Sequence, residues 1–125
     1  MDLQAIDELR ASISQSEILS DEIAKAVASL LAVHFAQTKS ESDLAAGLTA
    51  STDSAFAVVG RAFPDWDLRL EGSVSPVGER SWTCRFSSNL SDDDVLTGVG
   101  HGTGIRLALF DAIANLASMQ AKGFS

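Results

Sequence analysis

Apolar residues at Leu3, Ile6, Leu9 and Ile13 recur at spacings of three and four, behind Asp2 as N-cap, and predict a short amphipathic helix. A second helix follows closely. Ser20 reads as its N-cap with Asp21 and Glu22 in an acidic first turn, and Ile23, Val27, Leu30, Leu31 and His34 mark one face to about Gln37. Residues 1–37 therefore predict an N-terminal helical hairpin, which covers the rest of the domain or packs on a second copy. The stretch 38–50 is polar, interrupted by Gly47 and without sustained period, and reads as a linker with one turn near Leu44.

The period then changes. Ser51, Thr52 and Asp53 offer N-caps for a helix through Ala55, Phe56, Val58, Val59 and Ala62, ended by Pro64. Trp66, Leu68 and Leu70 alternate with Asp67, Arg69 and Glu71, as Trp82, Cys84 and Phe86 do with Ser81, Thr83 and Arg85. Joined by Ser75-Pro76-Val77-Gly78, a type I turn sequence, these segments predict an antiparallel hairpin with one face on a core. Val95 and Leu96 are read as a short third strand and Gly98–Gly104 as a loop. Ile105, Leu109, Ala112, Ile113 and Leu116 form the stripe of a last helix, with Lys122 and Gly123 at its end. The reading is a single α+β domain: helical hairpin 1–37, linker 38–50, and an α-β-β-(β)-α sandwich over 51–125.

Composition narrows the function. The 125 residues suffice for one core without staples, and 46% hydrophobic with 21% charged residues is a globular balance. The longest apolar stretch, Ile23 to Phe35, falls short of the roughly 20 residues that span a bilayer. The amino terminus lacks the pattern of a secretory signal and the single Cys84 has no bridge partner, so a cytoplasmic setting is expected. A formal charge of −8 opposes duplex nucleic acid as a partner.

The run Gly98-Val99-Gly100-His101-Gly102-Thr103-Gly104 sets four glycines at alternate positions before a helix. Exposed backbone N–H groups there make an anion site, while the plainer alternative is a turn with no ligand. It is neither a phosphate-binding P-loop, lacking Lys, nor a dinucleotide fingerprint, lacking a parallel βαβ unit. Arg106 opposes the helix dipole, a cost that a bound anion offsets; pairing with Asp92, Asp93 or Asp94 is the alternative. Those aspartates lack the calcium-loop template, His34 and His101 lack ligand spacing, Cys84 reads as a buried inert thiol, and no serine sits in a nucleophile elbow. No metal, cofactor or catalytic group is expected.

Two resemblances extend this reading. Gly100-x-Gly102 followed by Ala108 and Ala112 looks like the end of a double-stranded-RNA-binding domain, but Gly104, Ile105 and Arg106 stand where that family needs lysines. Over Ser51 to about Ala117, the segments Ser51-Thr52-Asp53-Ser54-Ala55-Phe56-Ala57-Val58-Val59, Trp82-Thr83-Cys84-Arg85-Phe86 and Ile105-Arg106-Leu107-Ala108-Leu109-Phe110-Asp111-Ala112 resemble the phage α-β-α (ABA) sandwich domain family. Here Ala50 replaces that family's tyrosine and a Gly/Thr loop replaces its Ala-Pro. The resemblance implies a phage origin. A weaker similarity to phage anti-Thoeris sponge proteins implies an oligomer that sequesters a small nucleotide-type immune signal without chemistry. Phe86 would then stack a base, and Gly100, Gly102, Thr103, Gly104 and Arg106 would hold phosphate. Two alternatives stand beside it: an anti-CRISPR-like inhibitor that occludes a host nuclease or nucleic-acid site through Asp92, Asp93 and Asp94, and a phage protein of structural or regulatory role with no ligand.

Overall fold

The structure, a computed structural model, describes residues 3–16, 19–34, 41–63, 66–78, 80–88 and 97–121. Among them are helices α1 (Leu3–Gln15), α2 (Asp21–His34), α3 (Glu41–Ala50) and α4 (Thr52–Ala62), strands β1 (Asp67–Val74), β2 (Arg80–Ser87) and β3 (Thr97–Gly102), and helix α5 (Ile105–Ala121). The three strands form one antiparallel sheet in the order β1-β2-β3. The α+β class and the order of helices, sheet and closing helix follow the sequence reading.

Local signals explain most of the elements. Ser20 Oγ accepts the N–H of Ile23 at 3.2 Å and Ser51 Oγ that of Ser54 at 3.0 Å, so both predicted N-caps close the first turns of α2 and α4. The β1–β2 hairpin turns through Ser75–Gly78, with the Gly78 N–H donating to Ser75 O at 2.9 Å. Gly78 has φ of 86°, which favours glycine. The residues expected to face inward do so: Cys84 and Phe86 are buried, and Leu68, Leu70 and Trp82 pack against the core.

Two expectations are corrected. The stretch 38–50 is not a plain linker, because Glu41–Ala50 is helix α3, followed after Ser51 by α4. Its apolar signal is only Leu44 and Leu48, one turn apart and both buried, while Gly47 lets α4 approach so closely that a Cβ there would lie 2.6 Å from Val58 Cγ2. Thr97–Gly102 is strand rather than loop; Val95 and Leu96, Asp92 to Asp94, Lys122 and Gly123 lie outside the described residues, as does the His34 side chain. The N-terminal helices cover the rest of the domain, the first of the two options the sequence left, with α1 packing chiefly against α5 and α2 against α3.

Helix α5 is consequently the centre of the molecule. Every residue from Leu107 to Ala114 is buried, with the sheet on one side and α1 and α2 on the other. A helix apolar around most of its circumference belongs inside a core, and Phe110, Leu109, Ile113 and Leu116 are among its largest buried side chains.

Candidate functional site

Gly98, Gly100 and Gly102 share the face of β3 turned to α5, and their lack of side chains lets strand and helix touch. A Cβ at Gly98 would lie 2.6 Å from Leu116 Cγ, one at Gly102 2.7 Å from Ala108 N, and one at Gly100 would collide with the backbone of Ala108 and Ala112. Gly100 and Gly102 are thus packing residues, not part of an anion-binding loop. Period-two glycines that read as a loop are a strand whose inward positions must be bare.

The outer edge of β3 is tied to the same helix. Asn115 Oδ1 accepts the Val99 N–H at 2.9 Å, Asp111 Oδ2 accepts the His101 N–H at 3.0 Å, and Arg10 Nη2 donates to Val99 O at 3.4 Å. Arg10 Nε also donates to Asp111 Oδ1 at 2.8 Å, in a pair whose side chains are 32% and 8% exposed. Asp111 is a buried carboxylate with a structural purpose: it pairs Arg10 while satisfying an edge amide.

Phe86 is displaced from its expected role. It is 3% exposed, its ring 4.7 Å from that of Phe63 and 5.3 Å from that of Trp66, so it offers no face to a base. Arg106 is half-buried, and its Nη1 donates to Leu48 O at 3.2 Å and Thr49 O at 3.0 Å. The guanidinium thereby meets the carbonyl end of α3, where a cation is favoured, and this accounts for a basic residue in the first turn of α5.

Where the start of β2 meets the start of α5, an open groove of about 380 Å³ remains. Thr103, Gly104 and Arg106 of the residues singled out in the sequence line it, and Thr52, Arg80 and Trp82 join them. Arg80 and Trp82 lie two apart on the helix-facing side of β2. Trp82 pairs with Gly72 on one side and Gly102 on the other, and its ring lies across Gly72, three ring carbons falling 3.0 to 3.2 Å from where a Cβ would stand. Glycine on both flanks leaves the indole unobstructed by neighbouring strand side chains. The first-turn N–H groups of α5, from Ile105 to Leu107, precede the first helical bond, from the Ala108 N–H to Gly104 O at 3.0 Å. Arg80 and a helix N-terminus meet there, beside an Arg106 whose guanidinium is bonded to the α3 carbonyls, and no acidic side chain is among the described lining residues.

Comparison with known protein families, with curated proteins and with solved structures finds no match. The groove therefore stands on its own chemistry. Among the described residues no group of three or more His, Cys, Asp or Glu side chains is arranged to hold a metal, and no helix is long and apolar enough to cross a membrane. His101 faces the other side of the sheet, its Nδ1 3.1 Å from Thr83 Oγ1, remote from Arg80 and Trp82. Burial pushes the Cys84 thiol up from 9.0 to about 12, so it is a packing group and not a nucleophile. Arg80 and Trp82 were legible as residue types but not as a site, because only strand pairing sets Gly72 and Gly102 beside the indole.

Proposed function

We propose that the protein binds a small nucleotide-type anion without transforming it, as a phage-derived anti-defence protein that sequesters an immune signal. The observation that carries this is the convergence of Arg80, Trp82 and the α5 N-terminus on one groove. Its volume falls in the range of small-molecule sites, about 300–1,000 Å³. An indole flanked by glycines suits a base, the Arg80 guanidinium and backbone N–H groups suit a phosphate, and Thr52 supplies a hydroxyl for sugar or phosphate oxygens, while the Thr103 hydroxyl donates to Ser16 O at 3.3 Å. The phage and anti-defence parts of the reading rest on the sequence resemblance, and the ligand class rests on the groove.

Mass spectrometry of molecules released by heating the purified protein, with thermal shift and tryptophan fluorescence titrations against linear and cyclic nucleotides, tests the proposal. A bound nucleotide is expected to quench Trp82 and to raise the melting temperature. Arg80→Ala and Trp82→Ala should lose binding while remaining folded, since both positions are exposed or half-buried. Finding no released nucleotide, no shift and no quenching would sink the sequestration reading and turn attention to the acidic inhibitor alternative. Nucleotide binding unchanged in both variants would move the ligand out of this groove.

A further inference from the structure

Strand β1 forms the other edge of the sheet, and among the described residues nothing bonds to its outer side. Its hydrogen-bonding phase follows from the ladder. Val99 and His101 turn their N–H groups away from β2, so Gly98, Gly100 and Gly102 bond to Phe86, Cys84 and Trp82. Ser81, Thr83, Arg85 and Ser87 then bond β1 through Ser73, Glu71, Arg69 and Asp67. Leu68, Leu70, Gly72 and Val74 are left with outward N–H and C=O groups, the template that invites another strand.

The side chains of this edge are self-complementary. We propose that β1 pairs antiparallel with β1 of a second copy, about a two-fold axis through Leu70, making one continuous six-stranded sheet. In that register Leu70 meets the partner's Leu70 as a hydrogen-bonded pair, and Leu68 meets the partner's Gly72. On the opposite face Arg69 meets the partner's Glu71, and Glu71 the partner's Arg69. Both are exposed within one chain, where Arg69 stands directly across from Arg85, a like-charge pairing that a sheet disfavours. A facing carboxylate from the partner relieves it. Val74, 67% exposed, comes beside the partner's Trp66. Axes through Arg69 or Glu71 set like charges face to face, and those through Leu68 or Gly72 pair a shorter length of strand. The charge pattern selects the occupant, a second copy, and together with the length of strand paired it selects the register.

Sedimentation velocity of the wild type, of Arg69→Glu, of Glu71→Arg and of an equimolar mixture of the two variants tests this. The wild type is expected to dimerise. Each single variant should weaken the dimer about tenfold or more, since two symmetry-related pairs turn from attraction to repulsion. The mixture should restore it as a heterodimer, because one variant then carries acids at both positions and the other bases. The charges are exposed, so circular dichroism should show the fold intact. A wild type that stays monomeric at every soluble concentration, single variants that dimerise as tightly as the wild type, or a mixture that fails to pair would each overturn the proposal.

Discussion

The two edges of the sheet carry the same backbone groups and dispose of them in opposite ways. On β3 the outward amides of Val99 and His101 are taken by Asn115 and Asp111, and the carbonyl of Val99 by Arg10. On β1 the outward groups of Leu68, Leu70, Gly72 and Val74 meet nothing among the described residues. The difference comes from the glycines. With no Cβ at three alternate positions, α5 settles so low on β3 that its own polar side chains reach around the strand to its far edge. Leu68 and Leu70 on β1 face inward but remain half-buried at the margin of the core. One edge is internal to the fold by close approach, and the other is uncovered among the described residues.

The largest expected effect breaks the close approach itself. Gly100→Ala puts a methyl into the backbone of Ala108 and Ala112, which cannot rotate aside as a side chain would. Overpacking of this kind costs about 3 kcal/mol or more, a large share of a small domain's stability. Thermal unfolding should start roughly 10 °C lower or the variant should fail to fold, with β3 and α5 losing protection together in hydrogen exchange. A wild-type melting temperature would mean that strand and helix are not locked at this position.

Asp111→Ala follows in size. It removes the acceptor of an edge amide and the partner of Arg10, and about 2 kcal/mol is expected in chemical denaturation, because Arg10 is partly solvated and only one member of the pair is deeply buried. Asp111→Asn keeps an acceptor for the His101 N–H and should recover part of the loss. Equal losses in the two variants would assign the whole effect to the Arg10 ion pair and none to the edge amide.

How far the sequence revealed this contrast depended on which residue types carried it. Elements announced by bulky apolar periodicity and by hydroxyl caps, such as α2 behind Ser20, α4 behind Ser51 and the β1–β2 hairpin, were legible with their caps and faces. The elements that depend on small residues were not. Helix α3 shows two leucines and Gly47, and β3 shows glycines, because both were shaped by how closely a neighbour approaches, a property of the pair and not of the segment. The same cause hid the groove. Thr103, Gly104 and Arg106 were legible beside the start of α5, whereas Arg80 and Trp82 join them only through the register of β2 against β1 and β3. Phe86, attractive as an aromatic, was spent in the cluster with Phe63 and Trp66.

Cys84 offers a probe from inside the sheet, since it sits between Leu70 of the open edge and Gly100 of the closed one. Its thiol is pushed up to about 12 by burial, from an ordinary 9.0. In the unfolded chain the thiol ionises first, so the unfolded state binds fewer protons between these values. The thiol's contribution to stability is therefore complete below about pH 9 and is lost as pH rises toward 12. At neutral pH a thiol reagent should label Cys84 only as fast as the sheet opens, and the Gly100→Ala variant should label faster. Fast labelling of the folded wild type would show that the open edge already exposes the central strand.

The smallest effect sharpens the comparison within a single row. Gly72 and Gly102 both flank Trp82, yet one belongs to the open edge and the other to the closed one. A Cβ at Gly72 meets only ring carbons of a half-buried indole at 3.0 to 3.2 Å, and a ring can tilt by a few tenths of an ångström. Gly72→Ala also restricts the unfolded chain, a stabilising contribution of about 0.4–1 kcal/mol that opposes the crowding, so its net effect should stay within about 0.5 kcal/mol. A Cβ at Gly102 meets the Ala108 nitrogen at 2.7 Å and the Leu107 backbone, which cannot tilt, and Gly102→Ala should lose about 2 kcal/mol. Parallel denaturation of the two variants measures the difference between the edges with the same added methyl beside the same tryptophan. Equal losses would mean that the indole is held as rigidly as the helix, and the groove it lines would then be preformed on both sides.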